Sequence, residues 1–301
     1  MEDLSGPLPF KFTNDYFFRA LTQTKENALK GIISATLHMP REDIKTVTIK
    51  NPIELGSNID DKEFVLDVKV RMNNNVTIDM EMQVLNYNDW PDRSVQYIGR
   101  NFDTLEHGDE YTESPEIVHI GILDFELFPN KSRLLDCYKI MHTELGYVYN
   151  DKLKIYIMTL PKRDEAGQAD VMYHTDLWAN FFKAQTWEEV RMLANKDSDI
   201  KEAAETAAVM WGYDPVKERI KARADYEARQ RRIEYQLKQG TEAKKEAAEE
   251  RKLRAEAEKL AAEAQKEAAE QKKRADGEEK HVADLKAEIA ELKRQLSEQR
   301  K

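Results

Sequence analysis

The sequence predicts a domain of the mixed α/β class, an α+β arrangement with a mixed sheet, followed by a long charged helix. Short apolar or alternating segments of strand length are separated by longer segments with helical periodicity, and this pattern favours a mixed sheet. The composition then changes. Ala, Glu, Lys, Arg and Gln dominate the last part, whereas aromatic and β-branched residues are concentrated before it. We therefore predict a globular domain over residues 1–215 and a charged helix over residues 216–301.

Each element is predicted from its periodicity and its flanking residues. The first helix has Thr13 or Asn14 as its N-cap and ends before Pro40. A later helix has Pro91 in its first turn, and Gly108 would close it. In chain order the sequence predicts a helix over residues 14–39, strands over 44–55, 65–72 and 76–84, a helix over 91–107, strands over 116–123, 135–141 and 154–160, and helices over 177–210.

Charge and cysteine content narrow the function classes. Residues 217–301 contain 24 Lys and Arg against 20 Asp and Glu, a net charge of +4. Because the whole chain has a net charge of −10, the globular part has a net charge of −14. An acidic domain gives no support for a large basic nucleic-acid footprint. The single cysteine, Cys137, forms no internal disulfide and predicts a reducing compartment. With no signal-like start and no apolar run of about 18 residues, we expect a cytoplasmic protein without a membrane span.

The segment from position 65 to 84, VLDVKVRMNNNVTIDMEMQV, predicts a β-hairpin. Side chains alternate across a strand, so both apolar sets share a face only if the numbers of paired residues sum to an even value. A three-residue loop over residues 73–75 satisfies this condition, and asparagine tolerates the left-handed backbone that such loops use. In this register Lys69 faces Asp79, and Asp67 faces Glu81.

Two carboxylates that face each other need a counter-charge. Residues directly opposite on paired strands have Cβ atoms about 4.5–5.5 Å apart, and like charges there are destabilising. Lys69 is a poor counter-ion because Asp79 should occupy it. A divalent cation between Asp67 and Glu81 is the simplest remedy, and hard carboxylate oxygens favour Mg²⁺ or Mn²⁺. The alternative is that this is the wet face of an ordinary antiparallel sheet, where carboxylates need no partner.

These residues carry a family resemblance. The pattern Leu-Asp on one strand, a short turn, Met-Glu-Met-Gln on the next strand and then an Arg-Ser…Tyr helix resembles the PD-(D/E)XK nuclease family transposases, also called Rpn recombination-promoting nucleases. The resemblance extends over about residues 12–252, and the order and spacing of its motifs are more specific than any one motif. The matching residues are Asn14 to Phe18, Leu66-Asp67, Met80 to Gln83, Arg93-Ser94, Tyr97, Gly108, Tyr111, Ile120 to Phe128, Leu160 to Lys162 and the helical region 178–210.

The resemblance implies a restriction-endonuclease-like core and a metal-dependent DNA endonuclease that hydrolyses phosphodiester bonds, with a role in recombination, mobile elements or defence. Asp67 and Glu81 would ligate Mg²⁺ or Mn²⁺, and the backbone carbonyl of Met82 would complete the protein's share. Asp15 is a candidate auxiliary metal ligand. Its other interpretation is a favourable charge at the N-terminus of the first helix.

One position departs from the wider superfamily pattern, which has lysine where this chain has Gln83. Glutamine can orient a water molecule but supplies no charge. The transposase subfamily characteristically has glutamine here, so the change does not by itself mark an inactive enzyme. Arg93 is the candidate cation, with Tyr97 one helical turn further on the same side. Both could equally serve as packing and surface-pairing residues of an amphipathic helix.

The end of the chain predicts a short coiled coil over residues 278–301. Its apolar residues follow the a/d spacing of 3, 4, 3 and 4, and nothing else in this polar tail offers them a partner. We expect a homo-oligomer through this segment, although a solvated single helix with a chance leucine pattern is the alternative. The seam consists of Val282, Leu285, Ile289, Leu292 and Leu296.

Other chemistries lack support in the sequence. The six histidines are scattered and show no zinc-site spacing, and neither a phosphate-binding Gly-rich loop nor a GxSxG elbow is present. The rival to the nuclease is a catalytically inactive nuclease-fold module that binds nucleic acid or a protein partner and oligomerises through its coiled coil. The negative charge of the globular part favours this rival, whereas a cleft of local positive potential or a bound metal ion would favour the enzyme.

Overall fold

A computed structural model describes residues 4–52, 67–73, 76–103 and 110–298 of the chain. The chain divides into two compact units, Met1–Arg231 and Arg232–Lys301. The predicted boundary after residue 215 stays a prediction. Among the described residues, none of the helices has the length and apolar character that crossing a membrane requires.

The first unit is built around a six-stranded mixed sheet, as the sequence predicts. The strand order is β1-β2-β3-β4-β6-β5, in which β3–β4 and β4–β6 are parallel and the other pairs antiparallel. The strands are β1 Val47–Ile49, β2 Val68–Met72, β3 Val76–Gln83, β4 Glu116–Leu123, β5 Leu135–Met141 and β6 Val148–Thr159. The helices are α1 Asp15–Thr24, α2 Glu26–Leu37, α3 Trp90–Phe102, α4 Gln168–Met172, α5 Thr175–Lys183, α6 Trp187–Ala194, α7 Ser198–Gly212 and α8 Asp214–Glu298.

The hairpin register is the predicted one. Met72 pairs with Val76, Arg71 with Thr77 and Lys69 with Asp79. Asn73 has a φ of 49°, the left-handed conformation expected of the loop. Leu66, the predicted Val65–Gln83 pair and the rest of the loop, residues 74–75, lie outside the described residues.

Several element boundaries differ from the sequence-based expectation. Strand β1 is only three residues long, and residues 53–55 of the predicted strand lie outside the described part. Helix α3 ends at Phe102, and its expected end near residue 107 with Gly108 is likewise outside that part. Strands β4 and β5 have the predicted bounds, whereas β6 begins six residues earlier than residue 154. The region 177–210, predicted to be helical, consists of parts of α5, α6 and α7.

The expected first helix is two helices. Asn14 caps α1 as predicted, since its Oδ1 accepts a hydrogen bond from the Phe17 backbone N–H at 3.0 Å. Lys25 then adopts an extended backbone with φ −126° and ψ 105° and separates α1 from α2. The hydroxyl of Thr24 donates to the Ala20 carbonyl at 2.6 Å, a local side-chain bond of the kind that competes with helix propagation.

The main core lies between one face of the sheet and helices α1, α2, α5, α6 and α7, because the apolar residues of the strands alternate onto that face. A small second cluster on the opposite face consists of Trp90, Leu123 and Ile157. The base of α8 also belongs to the main core, since Val216 and Ile220 are each 1% exposed.

Candidate active site

The β2–β3 hairpin has two chemically different faces. One face points into the main core and carries Val68, Val70, Met72, Val76, Ile78, Met80 and Met82. The opposite face carries Asp67, Asp79 and Glu81, all of them buried. Helix α3 contributes to this second face, because Asn101 donates a hydrogen bond from Nδ2 to Asp79 Oδ2 at 3.3 Å. The acidic face is therefore not the wet face of an ordinary sheet.

The two carboxylates predicted to bind metal lie on this buried face. Asp67 and Glu81 are each 8% exposed. Val68 pairs with Met80, and the same register continued by one residue sets Asp67 opposite Glu81. Within the described part of the chain, Asp67 Oδ1 and Glu81 Oε2 are buried and accept no hydrogen bond. Each carboxylate thus keeps one oxygen that needs a partner.

Arg19 of α1 fixes the start of β2. Its guanidinium donates to the backbone carbonyls of Asp67 and Asn51, and one nitrogen lies 3.9 Å from Asp67 Oδ1. Burial lowers the pKa of Arg19, and the nearby carboxylates of Asp67 and Asp79 act against that shift. The backbone of Asp67 is therefore held from the first helix, whereas its carboxylate stays directed at the acidic face.

Arg93 of α3 is the counter-ion of Glu81. Its Nη2 donates to Glu81 Oε1 in a close ion pair. Burial raises the pKa of Glu81 to about 7; Arg93 opposes the shift, and the charge of Asp67 adds to it. The structure thus brings the candidate cation into the site, where it neutralises one of the two predicted metal ligands.

Tyr97 lies one turn beyond Arg93 and faces the same side of α3. Its ring stacks on the fully buried His119 ring, with centroids 5.2 Å apart and an interplanar angle of 9°. Burial and the Glu81 carboxylate raise the pKa of Tyr97. The phenol is therefore neutral beside the carboxylates, and the stack on His119 fixes the position of its ring.

Gln83, at the end of β3, supplies no charge, and its amide nitrogen makes a hydrogen bond within the protein. Its Nε2 donates to the Leu85 carbonyl at 2.8 Å. That bond orients the amide across the turn after β3 and leaves the amide oxygen as the group that can accept from a water molecule.

Asp79 is a site residue that the sequence reasoning misjudged. We expected Lys69 to form an ion pair with Asp79. The two residues do pair across the strands, but no ion pair joins their side chains in the described structure. Asp79 is instead 2% exposed and bonded to Asn101. Burial, followed by the charge of Asp67, raises the pKa of Asp79 to about 8. The signal was present in the sequence, because Asp79 shares the alternation of Asp67 and Glu81.

Asp15 lies at the start of α1 and binds an arginine from α8. Its carboxylate accepts from Arg223 Nε at 2.8 Å through Oδ1 and 2.6 Å through Oδ2. Burial raises the pKa of Asp15, and Arg223 opposes that shift. Arg223 was absent from the sequence-based site, because 208 positions separate it from Asp15 and no motif links them.

Glu81 of the acidic face lines a pocket of about 330 Å³. A larger cavity of about 550 Å³, lined by residues of α5 and α6, shares no lining residue with it. The smaller pocket is the candidate active site, because carboxylates from three elements and two arginines line it. Its charged and amide lining residues are Asp15, Glu81, Gln83, Asp89, Arg93, Arg223 and Glu227, and Met82 also lines it.

Comparison with known proteins agrees with this geometry. The family model described as PD-(D/E)XK nuclease family transposase matches residues 12–236, more than half of the chain. The chain belongs to this family. Searches of curated proteins and of solved structures gave no match. The resemblance seen in the sequence is thereby confirmed, and membership of the PD-(D/E)XK transposases indicates a nuclease-related function.

PD-(D/E)XK nucleases typically use divalent metal ions, and such ions need oxygen ligands from the protein. Among the residues described, no three His, Cys, Asp or Glu side chains form a group that could hold a metal ion. The expected set is smaller, namely two carboxylates and one backbone carbonyl. The unsatisfied oxygens of Asp67 and Glu81 fit a hard divalent cation, because buried carboxylate oxygens without donors are costly unless a cation compensates them.

Proposed function

We propose that this PD-(D/E)XK transposase is a Mg²⁺- or Mn²⁺-dependent endonuclease that hydrolyses phosphodiester bonds of DNA. One observation carries the proposal: two buried carboxylates, Asp67 and Glu81, each retain an oxygen without a donor, and Glu81 lines a pocket that contains arginines. A role in recombination or with mobile elements, and a cytoplasmic location for a chain with the single cysteine Cys137, are parts of the same proposal.

The side chains have distinct roles in this mechanism. Asp67, Glu81 and the Met82 carbonyl would hold the ion. When bound, such an ion lowers the pKa of a water molecule and offsets charge on the scissile phosphate. Arg93 supplies positive charge at the same pocket, and its pairing with Glu81 keeps it at the reacting end of the cleft. Gln83 orients water through its amide oxygen, since its nitrogen is engaged with Leu85.

Arg93 also provides the observation that favours the rival function. A carboxylate that already has a guanidinium partner does not need a metal ion for neutrality. A catalytically inactive module that binds nucleic acid or a protein would keep this ion pair permanently. The two functions therefore differ in whether divalent cations compete for Glu81.

A plasmid-nicking assay distinguishes them. Supercoiled plasmid is incubated with the wild type, Asp67→Ala and Glu81→Ala in Mg²⁺ or Mn²⁺. Asp151→Ala removes an exposed carboxylate on the distant β6 and is the matched control. We expect the wild type and the control to cut DNA, and the two site variants to lose about 10²-fold or more of the rate, because each removes a ligand of the ion. Equal rates in all four proteins, or no cutting in any of them, would contradict the nuclease proposal and favour the binding module.

A further inference from the structure

The base of α8 contributes a second arginine to the pocket. Arg223 lines it together with Glu81, Gln83 and Arg93. Its side chain is 17% exposed, and its guanidinium lies over the Tyr226 ring, 4.8 Å from the centroid. This ring contact and the ion pair with Asp15 restrict the arginine at the wall of the pocket. The base of α8 is part of the first compact unit, so this arrangement belongs to the domain itself.

A cation that is not paired with a proposed metal ligand would remain available to the DNA when the ion is bound. Gln83 carries no charge. Arg93 is paired with Glu81, which the ion would share. Arg223 is paired with Asp15, outside the hairpin that carries the two proposed ligands. Arginine presents five donors in a fixed fork, so a guanidinium bound to one carboxylate still has the geometry to meet a phosphate oxygen on another edge.

We propose that Arg223 is a phosphate-binding residue of the active site, and that Asp15 is the residue that positions it rather than a metal ligand. The inference rests on the proposed nuclease function. It assigns to the carboxy-terminal helix the positive charge that the wider superfamily takes from lysine on the third strand. The ligand is a phosphodiester oxygen of the bound DNA.

The contacts of Asp15 support the positioning role. Both of its oxygens accept from Arg223, and Oδ1 also accepts from the Tyr16 backbone N–H at 2.8 Å. Glu227 adds a second acidic group next to the same guanidinium, 3.9 Å from Arg223 Nε. A carboxylate engaged in this way aims an arginine, in contrast to Asp67 and Glu81, which keep oxygens without donors.

The test uses full-length protein with Arg223→Gln, Arg223→Lys and Asp15→Asn. Arg229→Gln is the matched control, because Arg229 is an exposed residue of the same helix that does not line the pocket. We expect Arg223→Gln to lower kcat/KM for plasmid cleavage by about 10- to 100-fold, the effect of losing a hydrogen bond to a charged group. Lysine should restore part of that loss. Asp15→Asn should lower kcat/KM to a smaller extent.

Metal affinity is the second readout. Calorimetric titration with Mn²⁺ should give the same Kd for the wild type, Arg223→Gln and Asp15→Asn. A weaker Kd in Asp15→Asn would overturn the positioning role and make Asp15 a metal ligand. Cleavage by Arg223→Gln at the rate of Arg229→Gln would overturn the phosphate role. Cleavage by the wild type and its loss in Asp67→Ala test the nuclease function separately, so the two proposals fail in different experiments.

Discussion

At the scale of single residues, His119 is the group whose burial is most complete beside the candidate site. It is 0% exposed, and neither ring nitrogen hydrogen-bonds to any group in the described residues. Trp90 and Tyr97 contact its ring, with centroids 5.4 and 5.2 Å away. Burial, helped by the charge of Arg93, lowers the pKa of His119 to about 3. The histidine is therefore a neutral packing residue in the folded protein.

This burial predicts acid sensitivity. Below pH about 6.5 the unfolded chain binds a proton on His119 that the folded chain does not accept until near pH 3, so the free energy of unfolding falls as the pH is lowered through this window. The contribution is about 2 kcal/mol between pH 7.5 and pH 5. Urea unfolding should be measured at both pH values. When the pH is lowered from 7.5 to 5, the free energy of unfolding should fall by about 2 kcal/mol less in His119→Phe than in the wild type. An identical loss in both proteins would contradict the assignment.

The residue pattern of the hairpin predicts its register but not the burial of its polar face. Alternation of apolar and polar residues left one register that buries both apolar sets, and the observed pairing of Lys69 with Asp79 follows from it. Whether a polar residue on that face is wet or buried depends on what covers it. Helix α3 covers Asp79, and the sequence of the hairpin contains no information about that contact.

At the scale of elements, a single glycine sets the position of α3. A Cβ at Gly121 of β4 would lie 2.2 Å from Trp90 Cζ2, so the indole at the start of α3 occupies the space above this strand. Glu81 pairs with Gly121 in the parallel register, which puts the Trp90 contact next to the predicted metal ligand. Arg93 follows Trp90 by less than one turn and owes its position to the same contact.

We therefore expect Gly121→Ala to disturb both stability and the site. The added methyl group overpacks a rigid indole, which should cost about 1–3 kcal/mol in the free energy of unfolding. It should also shift α3 and weaken the Arg93–Glu81 pair. Gly99→Ala is the matched control, because a Cβ at this exposed position of α3 meets nothing within 4 Å. Alanine there should be neutral or stabilising by up to about 1 kcal/mol.

Denaturant unfolding of the two glycine variants provides the comparison. Equal stabilities for Gly121→Ala and Gly99→Ala would show that Trp90 moves aside without cost.

Some element boundaries in this protein could not be predicted from the sequence. The sequence at the break between α1 and α2, at Lys25, contains neither proline nor glycine, and the apolar periodicity continues through it. Both helices pack on the main core on either side of the break.

At the scale of the whole molecule, α8 joins two kinds of sequence. Its base packs on the core through Val216 and Ile220 and carries Arg223, whereas the exposed remainder is the charged helix expected from composition. The Asn14 side chain also donates to the Ile220 carbonyl at 3.2 Å. Contacts between residues about 200 positions apart leave no local pattern, so composition alone does not reveal that the base of α8 packs on the core of the first compact unit.

The seam near the end of α8 leads to the last prediction. Val282, Leu285, Ile289 and Leu292 are between 44% and 52% exposed in the single chain, and the Leu296 side chain lies outside the described residues. Since the seam covers only about two heptads, a coiled coil built on it should be weak and concentration-dependent. Sedimentation of full-length protein over a concentration range should show assembly that a chain ending at Lys238 lacks.

Two further chains make the prediction specific. Leu285→Glu with Leu292→Glu in the full-length protein should abolish assembly as the truncation does, because charges in the seam cost more than two heptads can offset. A chain ending at Pro215 should instead lose about 3 kcal/mol or more of stability, since it removes the buried side chains of Val216 and Ile220. If the chain ending at Lys238 sediments like the full-length protein, the oligomerisation prediction is wrong. If the chain ending at Pro215 is as stable as the one ending at Lys238, the base of α8 is dispensable for the domain.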